Sequence, residues 1–426
     1  MIRFLQSLFG AMLFAFSVCA GEVLLIGTAD LHGNLENFSY LAPEISKYPQ
    51  AIKIDIGDFV QGDFDCVYSC GLPMLEAFNE LKYDLFVPGN HEFEFPEETF
   101  DTWRKYFSGK ILGAQWRFGK FVPDSWSIIE RDNYRIGIVG LGEVAMSKRA
   151  KIFAPLYWTD EIEAIKKLMP EIRKAKCDAL VLAAHVALKG NFGELYRILQ
   201  KFPEFDAVIA AHSHKEHPGS IVAKKIAVQP GPFGESAALL RFYFDDKTGK
   251  LVEIKSELLR KRTNQNQKIL EICSRAKQKS LTAAREKLGD FSRSSEFGNF
   301  CAGKIREYFK CDAAFFSMNE KFFIPGTMTG KKLFKLMPYG NRICMVKGDG
   351  KDFEKLMKKL STPWRQIYFS GKLVGNDICV AMSDHLFLLY QNIDKNKMYN
   401  AEMTGVFERE VIRQALKEEF NKNILE

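Results

Sequence analysis

Leu85-Phe86-Val87-Pro88-Gly89-Asn90-His91-Glu92-Phe93-Glu94 decides the reading of this chain. An apolar run that begins at Tyr83 stops at a glycine turn, which delivers an amide, an imidazole and a carboxylate in succession. Alone, this is a polar loop after a strand, but other apolar runs end the same way. Val23 to Thr28 leads into Asp30-Leu31-His32-Gly33, Ile52 to Ile56 into Gly57-Asp58, and Ile136 to Leu141 into Gly142-Glu143. Ala179 to Ala184 leads into His185, and Ala207 to Ala211 into His212-Ser213-His214. Short runs of this kind, separated by stretches of helical periodicity at Glu161 to Lys174 and Phe192 to Gln200, are what strands buried on both faces look like. They predict an α/β fold with helices outside the sheet. Ligands in such folds gather where strands end, and of the seven histidines only His385 lies away from these ends.

At 426 residues the chain exceeds one core, since domains run to roughly 100–200 residues, so two domains and a connector are expected. Hydrophobic residues make up 46% and charged residues 27%, an ordinary globular balance. Arg3, the apolar stretch Leu8 to Phe16 and the small-residue pattern Val18-Cys19-Ala20 read as a signal peptide over residues 1–20, cleaved before Gly21. Acylation at Cys19 and an uncleaved anchor are the rival readings, and Val18 is a poor residue before an acylated cysteine. No later segment is apolar enough to span a membrane, so the expected product is periplasmic or secreted. The net charge of +7 favours anionic ligands without identifying one. An exported chain permits disulfides, and Cys66 with Cys70 is the best local pair. No Cys-His cluster surrounds them to suggest a metal knuckle.

The domain carrying the strand ends is expected at 21–253. From about Lys255 to Leu288 the chain is charged and free of proline, with Leu258, Leu259, Ile269, Ile272 and Ala276 at mostly helical spacing, which predicts a long connecting helix over 254–289. Its basic side reads as a solvated face with one buried stripe and no nucleic-acid motif. A smaller α+β domain follows at 290–426, with a helix at Asn299 to Phe309, a loop at Pro338-Tyr339-Gly340-Asn341, a strand at Ile343 to Val346 and a terminal helix at Phe407 to Phe420.

Asp30, His32, Asp58, Asn90, His185, His212 and His214 form a mixed oxygen and nitrogen donor set. It suits borderline divalent metals such as zinc, manganese, iron or cobalt, and differs from the all-oxygen cages of calcium and magnesium. Seven donors exceed one tetrahedral ion, and two ions sharing one carboxylate would use them all. Asp58, alone after its strand, is the natural bridge. Two ions ~3.5–4 Å apart suit in-line displacement at phosphorus by an activated hydroxide.

With these motifs in their order, the sequence resembles the calcineurin-like metallophosphoesterases. Gln229-Pro230-Gly231 and Pro338-Tyr339-Gly340-Asn341 narrow the resemblance to the bacterial 5′-nucleotidase and UDP-sugar hydrolase (UshA-like) branch. It is strong over 21–250 and patchy beyond about 290. It implies one metal held by Asp30, His32, Asp58 and His214, and a second by Asp58, Asn90, His185 and His212. It implies that His91 stabilises the phosphoryl oxygens or the leaving oxygen, oriented by Glu94 where relatives usually carry aspartate. Such a carboxylate fixes the tautomer and raises the imidazole pKa.

In the second domain the resemblance implies a nucleobase pocket with Tyr339 in the place of a phenylalanine, Asn341 matching the family's asparagine, and Arg306 as an anion contact. The family's Asn-x-Gly-Gly-x-Arg segment is replaced near Ser317-Met318-Asn319-Glu320-Lys321, and no Gly-Gly-Asp-Gly follows Ser370-Gly371. The expected partner is a small phosphate ester, most simply a nucleotide, with no nucleic-acid polymer. A 2′,3′-cyclic nucleotide, a UDP-sugar or another organophosphate is the alternative substrate, and a non-catalytic metal-stabilised binding protein is the alternative from another class.

Overall fold

A computed structural model describes residues 19–143, 146, 150, 155–362, 365–393 and 401–425. The expected signal peptide lies outside the described residues except for Cys19 and Ala20, which open the first strand. Among the described residues, no helix is long and apolar enough to cross a membrane.

The N-terminal unit contains, in order, β1 (Cys19–Thr28), β2 (Ile52–Asp55), β3 (Leu85–Phe86), β4 (Lys110–Ile111), β5 (Trp116–Phe118), β6 (Trp126–Arg131) and β7 (Tyr134–Leu141). There follow β8 (Leu156–Trp158), β9 (Ala179–Ala184), β10 (Ala207–Ala210), β11 (His217–Val222), β12 (Lys225–Gln229), β13 (Ser236–Asp245) and β14 (Leu251–Arg260). Two six-stranded sheets result, ordered β14-β13-β1-β2-β3-β4 and β11-β12-β10-β9-β7-β6, with β5 and β8 paired apart. The interior strands β1, β2, β3 and β7, β9, β10 run parallel within their sheets. All six apolar runs are therefore strands.

Both faces of these strands are covered. Val23 and Leu25 point into the layer between the sheets, with Ile54, Leu85, Val181 and Ile209, whereas Leu24 and Ile26 face the helices that carry Phe38, Leu41 and Phe78. Burying each such side chain contributes roughly 1.5–3 kcal/mol. That layered core holds the strand ends in fixed register.

The connector differs from expectation. Residues Leu251–Arg260 are strand β14, antiparallel to β13, and the helix spans only Gln267–Arg285. The burial of β14 alternates through Ile254, Ser256 and Leu258, a period of two that the surrounding charges obscure in the sequence. Ile269, Ile272, Cys273 and Ala276 of the helix join the core of the N-terminal unit.

The C-terminal unit is a five-stranded mixed sheet, ordered Gln366–Gly371, Ala313–Met318, Ile378–Ser383, Arg342–Gly348 and Ala401–Phe407. Helices Ser294–Phe309, Gly350–Leu360, Asp384–Ile393 and Glu408–Leu425 accompany it. Arg342 ties the two units together. It is 2% exposed, and its guanidinium donates to the carbonyls of Phe93 at 3.2 Å and Phe95 at 3.1 Å, in the segment that follows His91.

The expected Cys66–Cys70 bridge is absent: both thiols are free, as are those of Cys177, Cys273, Cys301, Cys311, Cys344 and Cys379. Cys66 is turned into the core from helix Phe64–Tyr68 while Cys70 is exposed just beyond it, so their side chains diverge.

Candidate metal centre and active site

The loops after the strands are knitted edge to edge before any side chain is considered. Asp30 N donates to Gly57 O, His32 N to Asp58 O and Gly33 N to Phe59 O, each at 2.8 Å. Five of the seven expected ligands, Asp30, His32, Asp58, His212 and His214, adopt left-handed backbone conformations with φ between 49° and 74°. Side-chain-bearing residues rarely hold this conformation, and its clustering marks a site where surrounding structure over-determines the backbone. The glycines make room. A Cβ on Gly89 would lie 2.2 Å from Asp58 Oδ1 and 2.6 Å from His185 Cε1.

The structure brings the seven residues into two adjoining clusters. Asp30, His32 and His214 form one group and Asp58, His185 and His212 the other, with the donor atoms of each group within 4.8 Å of one another. Asn90 joins the second, its Oδ1 lying 3.0 Å from His212 Nδ1. His32 Nδ1 lies 2.5 Å from Gln61 O and His185 Nδ1 2.5 Å from Ile56 O. These carbonyls fix the proton on Nδ1 and leave each Nε2 lone pair facing inward, the arrangement of a metal-ligating histidine.

His185 Nε2 is buried without a hydrogen bond, although Asp58 Oδ2 is 3.1 Å away and Asp30 Oδ1 3.8 Å. Burial lowers the His185 pKa, and the Asp58 carboxylate outweighs it, lifting the imidazole to about 10. Burial and the His185 charge hold His212 at about 4. The buried carboxylates draw a proton onto His185 in the absence of other positive charge, beside His212 held neutral, and a pair of divalent cations would replace that proton and take up the Nε2 lone pair.

His91 stands between the clusters and the second unit. Glu94 Oε1 holds its Nδ1 at 2.7 Å, and its Nε2 lies 4.0 Å from Asp58 Oδ2. Burial lowers its pKa, but Glu94, then Asp58, raise it to about 9. Glu92 is fully buried and accepts from Asp58 N at 2.8 Å, Phe59 N at 3.0 Å and Gly89 N at 2.7 Å, binding two ligand loops into one frame. The sequence alone assigns Glu92 no role, although it follows Asn90-His91 directly.

The second unit closes over this centre. Tyr339 stacks on His91, with ring centroids 5.5 Å apart and planes 12° apart. Gly340 N donates to Glu94 Oε2 at 2.7 Å, and Gln61 Nε2 donates to Pro338 O. The His91–Tyr339 pair separates two cavities. One of about 460 Å³ opens on His32, His91 and His214. The other, of about 740 Å³, has Asn90, His91 and His212 on one wall and Tyr339, Asn341, Phe322 and Arg365 on another.

Arg306 is not among the lining residues of either cavity. It belongs to helix Ser294–Phe309, packed against strand Gln366–Gly371, with its Cδ close to Gly371. Arg365 is the arginine that lines the larger cavity, together with Asp384 and His385. The latter two follow strand Ile378–Ser383, the same strand-end signal that marks the first domain.

Residues 24–216 match the calcineurin-like phosphoesterase family, and residues 276–383 match the 5′-nucleotidase C-terminal domain. A 2′,3′-cyclic-nucleotide 2′-phosphodiesterase/3′-nucleotidase of Salmonella typhimurium is 25% identical over 310 residues, which is 59% of this chain and 48% of that protein. The chain thus spans about half the length of the curated relatives it matches. A 5′-nucleotidase precursor from Thermus thermophilus shares the fold with a TM-score of 0.65 at 16% identity, over 93% of this chain and 96% of that one. A putative 5′-nucleotidase from Staphylococcus aureus shares it with a TM-score of 0.71 at 13% identity, over the same 93% and 96%.

Proposed function

We propose that this chain, which joins a calcineurin-like phosphoesterase domain to a 5′-nucleotidase C-terminal domain, hydrolyses phosphate esters of nucleotides, most simply nucleoside 5′-monophosphates. The observation that carries this reading is the pair of donor clusters with His91 beside them, facing the second unit, and a roomy cavity beyond. Two divalent cations, when bound, supply Lewis-acid charge at phosphorus and an activated water.

The chain's own residues do the rest. Asp30, His32, Asp58 and His214 would hold one cation, and Asp58, Asn90, His185 and His212 the other. Glu94 keeps the His91 proton on Nδ1 and stabilises the imidazolium, so that Nε2–H is directed at the phosphoryl or leaving oxygen. Tyr339 covers His91 and excludes water from one face. Tyr339 and Asn341 line the cavity that would take the nucleoside arm. Export to the periplasm, from the leader at residues 1–20, belongs to the same reading.

A second reading is hydrolysis of a nucleotide diester. The cavities on both sides of the His91–Tyr339 pair leave room for two ester arms, and the Salmonella relative bears the name of a cyclic-nucleotide phosphodiesterase. Purified protein supplied with manganese, zinc or cobalt should release phosphate from AMP and p-nitrophenyl phosphate and lose that activity to chelator. Cleavage of bis-p-nitrophenyl phosphate without AMP hydrolysis would favour the diester reading. Inactivity on monoesters, diesters and UDP-glucose with two metals bound would overturn both.

A further inference from the structure

The cavity that opens on His32, His91 and His214 does not end at the metal centre. It reaches Cys273, Asp65 and Lys277, and the last two also line an open trough of about 710 Å³ between helix Gln267–Arg285 and the segment from Thr327 to Lys335. Six cationic side chains line that trough, Lys277, Arg285, Lys287, Lys331, Lys332 and Lys335, against the single carboxylate of Asp65.

Countercharge accounts for only part of this. Lys277 pairs with Glu36 at 3.1 Å and Lys331 with Asp65 at 3.7 Å. Arg285, Lys287 and Lys335 have no ion-pair partner among the described residues, and the nearby Glu286 is taken by Arg413 at 2.8 Å and Lys417 at 2.7 Å. The positive excess of the whole chain lies in residues 267–426, the part that builds the trough. From Cys273 to Arg285 the helix rises by about 18 Å. At about 3.4 Å per phosphate along a stacked strand, that distance accommodates several phosphates. A solvated basic helix face would be convex. Here the cations line both walls of a concave channel leading to a phosphoester centre.

We propose that this trough is a track for the phosphate backbone of a single-stranded oligonucleotide, whose terminal nucleotide it delivers to the metal centre. The proposal rests on the phosphoesterase reading above and extends its substrate class. The terminal nucleoside occupies the cavity beside Tyr339 and Asn341, the scissile phosphate lies at the clusters, and the remaining backbone runs past Lys277. Hydrolysis adds one water across a P–O bond, leaving a phosphate monoester on one product and a hydroxyl on the other. Because the cations meet phosphates and no bases, binding is salt-dependent and indifferent to sequence.

The test uses the metal-loaded full chain and a fluorescein-labelled oligothymidylate of twelve nucleotides, with anisotropy read within seconds of mixing over a salt series. AMP and p-nitrophenyl phosphate hydrolysis are measured in parallel. The triple variant Arg285→Gln, Lys287→Gln, Lys335→Gln removes exposed charges only, and its melting temperature checks the fold. The expected result is at least a tenfold loss of oligonucleotide affinity and a log–log salt slope shallower by about 2, from about 0.7 per lost contact, with monoester turnover unchanged. Wild-type affinity no better than the variant's overturns the proposal, as does binding to phosphatidylglycerol vesicles in preference to the oligonucleotide. Salt-sensitive oligonucleotide binding without monoester or diester hydrolysis would uphold the track while removing the phosphoesterase reading beneath it.

Discussion

Glu94 Oε2 accepts the backbone N–H of Gly340 at 2.7 Å, while its other oxygen holds His91 Nδ1 at the same 2.7 Å. One carboxylate therefore orients the imidazole and seats the second domain at once. A Cβ on Gly340 would come within 2.8 Å of Glu94 Cβ, so the approach also depends on glycine. In place of the aspartate that the resemblance implies at this position, the longer glutamate reaches across the domain boundary, an adjustment of length that serves both contacts.

Glu94→Asp tests that adjustment. Shortening the side chain by one methylene cannot serve both partners, and leaving a buried donor unpaired costs about 1–3 kcal/mol. The variant should lose roughly ten-fold or more in kcat/KM with metal content unchanged. Wild-type kinetics in the aspartate variant would show that the Gly340 contact is dispensable.

His91→Ala separates catalysis from metal binding. His91 belongs to neither donor cluster, and general acid catalysis contributes about 10²–10⁴-fold. Turnover should fall by that order while two metals per chain remain by elemental analysis. Parallel loss of metal and activity would reassign His91 as a ligand.

Gly89→Ala places a methyl 2.2 Å from Asp58 Oδ1. The Asp58 carboxylate must move, and His185 with it. Metal stoichiometry should drop below two per chain, with little change in far-ultraviolet circular dichroism. A fully loaded, active Gly89→Ala protein would mean that the two loops are looser than their packing indicates.

Glu408, in the lining of the larger cavity with Asn341, supplies a pH test that rests on no expected metal ligand. Burial, reinforced by Asp384, raises its carboxyl to about 8, and its Oε1 has no hydrogen-bond partner. The unfolded chain releases this proton near 4.5, so between about pH 4.5 and 8 the folded protein binds the extra proton. Stability is therefore lost as pH rises through that window, by about 1.4 kcal/mol for each pH step of one. Melting temperatures of wild type and Glu408→Gln should diverge from pH 5 to pH 8, the wild type falling faster. Parallel curves would place the carboxyl in a more polar setting.

The parts of the molecule legible in the sequence share one physical cause. Strands β1, β2, β3, β7, β9 and β10 are buried on both faces, so apolar residues dominate them, Lys53 and Asp55 of β2 apart, and the polar residues just beyond each mark the sheet edge. Asp30, Asp58, Asn90, His185 and His212 announce themselves by that contrast. Strand β14 does not, because its exposed positions carry the charges of a helix surface and only its pairing with β13 decides its conformation. Arg306, offered as an anion contact only by the resemblance, packs against Gly371 and is not in the lining of either cavity. Glu92 and Arg342 act on backbone atoms of remote loops, and no local pattern encodes that reach.

The left-handed backbone at Asp30, His32, Asp58, His212 and His214 has a consequence for the life of the protein in its surroundings. Each such residue costs about 1–2 kcal/mol relative to ordinary helical geometry, and the strain falls on loops that also crowd carboxylates together. Cations that bind only the folded arrangement would offset both. Without them, strain and carboxylate repulsion would stand uncompensated in these loops, which would then be where the chain opens first to a protease. Metal supply would then govern how long each molecule survives as well as how fast it turns over.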